Sequence, residues 1–196
     1  MEYRIKFLIV IITILTLQFC STAPLEKKYP FKISEAIDSL NGVKVFYNGE
    51  TDNVTEVNFS SDKYLLGLKY QCVEFVKRYY YEYYKHKMPN VYGNAKDFFK
   101  TGLLDGEINT DRDLIQYSNP SSTKPQVGDL IVLSGTETNP YGHVAIISNV
   151  FENGIEIIQQ NAGPFDPSRE KYKLNYSNSK CEIMNKRILG WLRKSH

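Results

Sequence analysis

Cysteine, tryptophan and an excess of charge of either sign are what this 196-residue chain has least of. Three cysteines are too few for a disulfide scaffold, and no CxxC pair is present to hold zinc or run dithiol chemistry, so any cysteine chemistry must run on single thiols. With 24 Lys+Arg against 22 Asp+Glu and no basic block, the chain has no electrostatic footprint for nucleic acid, and none is expected as a partner. No internal repeat or low-complexity tract interrupts it, and its length suits one globular domain. What is plentiful is aromatic surface: 15 Tyr and 10 Phe accompany the single Trp, enough to close a core or wall a groove.

The first segment has the layout of an export signal. Arg4 and Lys6 precede an apolar run from Phe7 to Phe19 that only Thr13, Thr16 and Gln18 interrupt. Its core of roughly 13 residues is short of the roughly 20 that span a bilayer as a helix. Residues 1–20 therefore read as a signal peptide and 21–31 as a tether. The domain proper follows at 32–196. Cys20, three positions after Leu17, resembles the lipobox of bacterial lipoproteins and is the lipidation candidate, although Phe19 stands where a small residue is usual. Cleavage after Ala23 is the alternative, and it places Pro24 first in the mature chain. Either way the expected location is the bacterial cell envelope, with membrane contact only through an N-terminal anchor.

Ile33, Ala36, Ile37 and Leu40 fall at helical spacing and predict a helix over 32–40, stopped by Asn41-Gly42. Val43, Val45 and Tyr47 alternate as a short strand. Val73, Val76, Tyr80 and Tyr83 share one helical face, which predicts a helix over 71–87, and a shorter one is expected over 95–101. The second half is different: 129–133, 143–150, 154–161 and 187–193 are short, rich in Ile, Val and Leu, and punctuated by Gly, Pro or Asn, as in an antiparallel sheet. Helices first and strands afterwards predict an α+β domain, N-terminal helices packed on a C-terminal antiparallel β-sheet. Asp129, in the turn before the first of these strands, reads as a structural residue.

Three places concentrate chemistry. Cys72 falls in the first turn of the strongest helix, where unpaired N–H groups and the helix dipole favour a thiolate; the plainer reading is a small buried hydrophobe. His143 opens a strand straight after Gly142, where an imidazole is suited to take a thiol's proton. His86, in a Lys-rich helix end, and His196, the last residue, are weaker candidates. Gln159 and Asn161 share one face of the next strand and either can orient an imidazole, while Gln160 points the other way. If the two strands form a hairpin, His143 shares a face with Gln159 and Asn161 only when paired residue numbers sum to an even value. A two-residue turn gives an odd sum, so a longer loop or a bulge is required, and Gly154 suits a bulge.

Tyr70-Gln71-Cys72-Val73-Glu74-Phe75, Gly93-Asn94-Ala95-Lys96, Val127-Gly128-Asp129-Leu130, Gly142-His143-Val144-Ala145-Ile146, Gln160-Asn161 and Leu189-Gly190-Trp191-Leu192 together resemble the CHAP family of cysteine, histidine-dependent amidohydrolases and peptidases. The Gln-Cys-Val-Glu-Phe run is also similar to that of glutathionylspermidine-type amidases. The resemblance implies a papain-like fold for 32–196 and a catalytic Cys72 with His143 as its base and Asn161 helping to orient the site. It departs at Gln159, where many relatives carry Glu. It implies no metal or organic cofactor. The oxyanion is expected on the Cys72 backbone N–H plus a second donor, with Gln71 and Tyr64 as candidates, and Tyr92, Phe98, Phe99, Tyr141 and Phe165 are candidate groove walls. The substrate it implies is an amide in peptidoglycan peptides, cut by an exported monomer. The alternatives are a small glutathione-polyamine amide, or a noncatalytic envelope lipoprotein with an impaired groove. A Cys72–Cys181 disulfide is a further option in an oxidising compartment.

Overall fold

The computed structural model describes residues 28–195. The segment expected to be an export signal, Cys20, most of the segment expected to be a tether, and His196 lie outside the described residues.

The chain first forms a hairpin. Strand β1 (Ala36–Leu40) pairs antiparallel with β2 (Val43–Phe46), with Leu40 opposite Val43 across the two-residue loop Asn41-Gly42. Both loop residues have positive φ, 49° and 84°, the geometry of a hairpin turn that Asn-Gly adopts at little cost. The helix expected over 32–40 is thus a strand. Its apolar spacing suited either element, and the Asn-Gly turn with a paired partner decided between them. A second hairpin joins β3 (Val57–Phe59) to β4 (Leu65–Leu68).

Then comes α1 (Cys72–Glu82), followed by a 3-10 turn at Ala95–Phe98. Among the described residues α1 is the only α-helix, so the expected layer of N-terminal helices is replaced by one helix and two hairpins. The remaining strands are β5 (Ile108–Asn109), β6 (Leu114–Ser118), β7 (Leu130–Leu133), β8 (His143–Phe151), β9 (Gly154–Ile158), β10 (Arg169–Ser177), β11 (Lys180–Ile183) and β12 (Ile188–Arg193). They make one antiparallel sheet in the order β11-β10-β9-β8-β7-β12-β6-β5, so the protein is α+β in a loose, sheet-rich sense.

Both faces of the sheet's central strands are buried. Phe75, Val76, Tyr79 and Tyr80 of α1 pack on Leu130, Val132, Val144, Ile146, Ile158 and Leu192. The opposite face gathers Ile131, Leu133, Ala145, Ile147, Ile155, Ile157 and Trp191, together with Leu174, Cys181 and Ile183 from the far strands β10 and β11, so that end of the sheet curls over its own back. Burial of each such large side chain stabilises the fold by about 1.5–3 kcal/mol, which is why β7 and the first half of β8 read as unbroken apolar runs rather than alternating ones.

Asp129 is structural, as expected of its turn. Its carboxylate accepts from the Gln126 N–H at 2.7 Å and forms a two-pronged pair with Arg193 at 2.7 and 2.8 Å, tying the start of β7 to the end of β12.

Candidate active site

The N-terminus of α1 meets the sheet at β8. Cys72 is the first residue of the helix, Gln71 is its N-cap, and no side chain caps the first-turn N–H groups. Tyr70, with φ 63°, turns the chain sharply into the helix and packs its ring on Phe46. The Cys72 sulfur lies beside the backbone N–H of Val144, one residue along β8 from His143. Cys72 and His143 each keep 8 % of their surface exposed.

His143 is held by Gln159. Nε2 lies 3.0 Å from Gln159 Oε1, and because an amide oxygen only accepts, Nε2 carries the proton and Nδ1 is left as the basic nitrogen. Gln159 Nε2 donates to the Pro167 carbonyl at 3.2 Å, which fixes the amide's orientation.

This contact depends on a register shift. Next to the turn Glu152-Asn153 the paired numbers sum to an odd value, as in Phe151 with Gly154 and Val150 with Ile155. Beyond Ser148 they sum to an even one, as in Ile147 with Ile157 and Ile146 with Ile158. Ser148 is the extra residue of a β-bulge, and its hydroxyl donates to the Glu156 carbonyl at 3.1 Å. Carried forward, the register sets Gln159 beside Ala145 on the face of His143. The bulge that the site requires is therefore at Ser148 and not at Gly154.

The approach of Gly142 supports His143 from below. The Asn94 N–H donates to Asp97 Oδ2 at 2.8 Å in a capping box, and the Lys96 N–H donates to the Tyr141 carbonyl at 3.0 Å. Gly142 has φ 80°, and a Cβ there would stand 2.5 Å from the Leu133 carbonyl oxygen. The Gly93-Asn94-Ala95-Lys96 run thus buttresses the histidine's turn.

Burial dominates the electrostatics. It pushes the Cys72 thiol up, against the opposing pull of the Val144, Val73 and Cys72 N–H groups. It pushes His143 down to about 4, a shift that the Gln159 hydrogen bond resists and the charge of Arg187 reinforces. Both shifts favour a neutral thiol and a neutral imidazole over the ion pair that the helix dipole alone suggests. Among the described residues no hydrogen bond joins Cys72 to His143. The two-residue period sets Val144 towards the helix and His143 on the other face, and the Val144 N–H at the sulfur brings Cys72 to the residue next to His143.

The other expected residues sort clearly. Asn161, with φ 60°, does not reach the imidazole. Its Nδ2 donates to Gln71 Oε1 at 2.6 Å and the Thr51 carbonyl at 2.9 Å, so it braces the residue before Cys72. The Gln71 amide hydrogens go to the Thr51 and Asn53 carbonyls, at 3.2 and 2.9 Å, which leaves none for an oxyanion. Tyr64 lies at the far end of α1, stacked on Tyr81 and bonded to the backbone of Met88. Tyr64 is thus remote from the start of α1, and the Gln71 amide is engaged by residues 51 and 53. Phe98 is core, Phe99 packs against it, and Tyr92, Tyr141 and Phe165 are exposed. His86 bonds the Arg112 carbonyl away from the site. Cys72 and Cys181 are both free and belong to clusters on opposite faces of the sheet, so the disulfide is not formed.

One network escaped the sequence reading. Buried Gln160 donates to the Gln71 carbonyl at 3.0 Å and to Glu74 Oε2 at 2.9 Å, and accepts from the Phe46 N–H at 2.8 Å. Glu74 pairs in turn with Arg78 at 2.5 Å. The alternation of β9 already set Gln160 towards the helix; what lay hidden was that the start of α1 would be its partner.

A family model described as CHAP domain matches residues 63–161. The chain is 32 % identical over 112 residues to the bifunctional glutathionylspermidine synthetase/amidase of Escherichia coli (strain K12), covering 56 % of this chain and 18 % of that protein. It is 27 % identical over 139 residues to a glutathionylspermidine synthase of Crithidia fasciculata, covering 65 % of this chain and 19 % of that one. It therefore spans about a fifth of the length of these relatives. A solved structure described as "The crystal structure of Ly7917 with the hydrolyzing product of MDP" is similar at TM-score 0.41 and 19 % identity, over 64 % of this chain and 54 % of that one.

Proposed function

Since this chain belongs to the CHAP domain family, we propose that it is an exported cysteine amidohydrolase or peptidase that cleaves amide bonds in peptidoglycan peptides. The observation that carries this reading is the meeting of Cys72, at an uncapped helix start, with the strand end where Gln159 holds His143 at 3.0 Å.

The chemistry follows from the neutral pair. Nδ1 of His143 takes the thiol proton as sulfur attacks the amide carbonyl; the carbon–sulfur bond forms and the carbonyl electrons move onto oxygen. The N–H of Cys72 in the first turn of α1 is positioned for that oxyanion. Collapse breaks the carbon–nitrogen bond, and the imidazolium gives its proton to the departing amine. Water, deprotonated by His143, then attacks the thioester and releases the acid and the thiol. Gln159 keeps the proton on Nε2 but brings no charge to the imidazolium, which supports a slower enzyme rather than a dead one.

Digestion of purified peptidoglycan by wild type and Cys72→Ala, with mass spectrometry of the released fragments, tests the proposal. Fragments from the wild type alone are expected; equal product from both ends the assignment of the nucleophile. The identity to a glutathionylspermidine synthetase/amidase favours a second substrate, a glutathione-polyamine amide, to be assayed in parallel. Cleavage of neither by a folded protein is the outcome expected of a noncatalytic groove. Export and lipidation at Cys20 are read from the intact mass of the protein recovered from cells.

A further inference from the structure

The residue after Gln159 reaches the other half of the site. Gln160 is 1 % exposed, and its amide has one possible orientation. Oε1 accepts from the Phe46 N–H at 2.8 Å, so Nε2 carries the two hydrogens, which go to the Gln71 carbonyl at 3.0 Å and to Glu74 Oε2 at 2.9 Å. The Gln71 carbonyl belongs to the peptide unit whose N–H is that of Cys72. A trans peptide is planar, with C=O and N–H pointing in opposite directions, so whatever fixes the carbonyl aims the N–H.

That unit needs fixing. It opens α1, where helices fray, and its own helical bond, from the Phe75 N–H to the Gln71 carbonyl, is long at 3.2 Å. No side chain caps the first turn, and Tyr70 has φ 63°, a left-handed conformation that a residue other than glycine keeps only where its surroundings hold it. Gln160 supplies such a hold because it is itself held. Arg78 Nη2 also donates to its oxygen, at 3.4 Å, and the same arginine is paired with Glu74.

We propose that Gln160 is a positioning residue for the oxyanion: by anchoring the Gln71 carbonyl it aims the Cys72 N–H at the carbonyl oxygen of the substrate. The inference rests on the hydrolase reading and deepens it. Gln159 holds the imidazole at 3.0 Å, and Gln160 holds the oxyanion donor's peptide at 3.0 Å. Two consecutive residues, pointing to opposite faces at the end of β9, thus fix the base and the donor relative to each other.

The test is the exchange Gln160→Glu/Glu74→Gln. It keeps one buried carboxylate beside Arg78, an acceptor for the Phe46 N–H, and a hydrogen bond between positions 74 and 160, now donated from 74. Besides the 3.4 Å contact of Arg78 Nη2 with Glu74 Oε2, what it deletes is the donation to the Gln71 carbonyl. Two reagents then report on one thiol, with Cys72→Ala as the blank. Acylation by p-nitrophenyl acetate passes through a tetrahedral oxyanion and releases p-nitrophenolate; alkylation by iodoacetamide displaces iodide and forms no oxyanion. Acylation is expected to slow by about 10- to 100-fold, short of the roughly 100- to 1000-fold lost with an oxyanion donor removed outright, while alkylation keeps its rate and pH profile. Equal loss in both reactions marks a merely structural residue and overturns the proposal, as does acylation at the wild-type rate. Should the exchange not fold, nitrogen relaxation NMR on the wild type decides. An anchored Cys72 N–H has the order parameter of rigid backbone, about 0.85, and a value in the flexible range below about 0.6 overturns the anchor. A wild-type Cys72 that is alkylated but never acylated overturns the hydrolase reading instead.

Discussion

Replacing Gln159 with Glu asks directly what holds His143 in its charge state. In the native protein Nε2 faces an amide oxygen at 3.0 Å, both residues are buried, and the imidazole is pushed down to about 4. A carboxylate in the same place attracts the imidazolium by about 4 kcal/mol at an effective dielectric near 20. Two effects oppose it: the carboxylate leaves water, and it replaces the Nε2 group that now donates to the Pro167 carbonyl at 3.2 Å. If these offset roughly half, about 2 kcal/mol remains, which moves the imidazole up by about 1.5 pH units, to about 5.5. The assay is an NMR titration of the His143 ring in both proteins, with wild-type signals assigned through His143→Gln. The reasoning fails if the ring titrates at the same pH in the variant or lower. A rise is also expected to speed amide cleavage, because imidazolium develops as the thiol attacks.

The depressed titration of His143 is itself a stability statement. Unfolded, the ring titrates near 6.5, so between about 6.5 and about 4 the unfolded chain binds the extra proton, and stability falls as pH drops through that window by about 3 kcal/mol, with no further loss from this group below it. Urea denaturation at pH 7 and pH 4 should show that much of the acid sensitivity disappearing in His143→Gln. Cys72 alkylation by iodoacetamide should have a pH midpoint above that of a free cysteine, because burial pushes the thiol up; a midpoint below it would show a preformed ion pair. Arg78→Leu strands Glu74, which is 2 % exposed, without its cation and loosens Gln160, and should cost about 3–5 kcal/mol in urea denaturation, with the loss smaller in Glu74→Gln/Arg78→Leu.

Legibility followed the physics of each element. The helix carrying Cys72 was readable because a face of Val73, Val76 and Tyr80 repeats at the helical period, and its core is observed as Cys72–Glu82. Strands β7, β8, β9 and β12 were readable because sheet residues buried on both faces leave continuous Ile, Val and Leu runs. Strand β10 was missed for the opposite reason: Arg169–Ser177 is largely exposed and charged, and nothing in its composition separates it from a loop. The segment before Asn41 was misread because four apolar residues at mixed spacing fit a helix or a strand, and only pairing with β2 selects the strand.

By itself the sequence determined the local facts about this protein: a cysteine in the first turn of a helix, a histidine starting a strand after a glycine, and the even-sum condition under which Gln159 shares the face of His143. Those depend on neighbours within a few residues and on the fixed periods of helix and strand. Only the tertiary structure decided how the condition is met, by the bulge at Ser148, and which residues the amides of Gln71, Gln160 and Asn161 serve. It also decided that burial outweighs the helix dipole at Cys72. Register, hydrogen-bond partners and desolvation are set by segments far apart in the chain, such as Phe46 and Gln160, 114 residues from each other, and no local pattern encodes them.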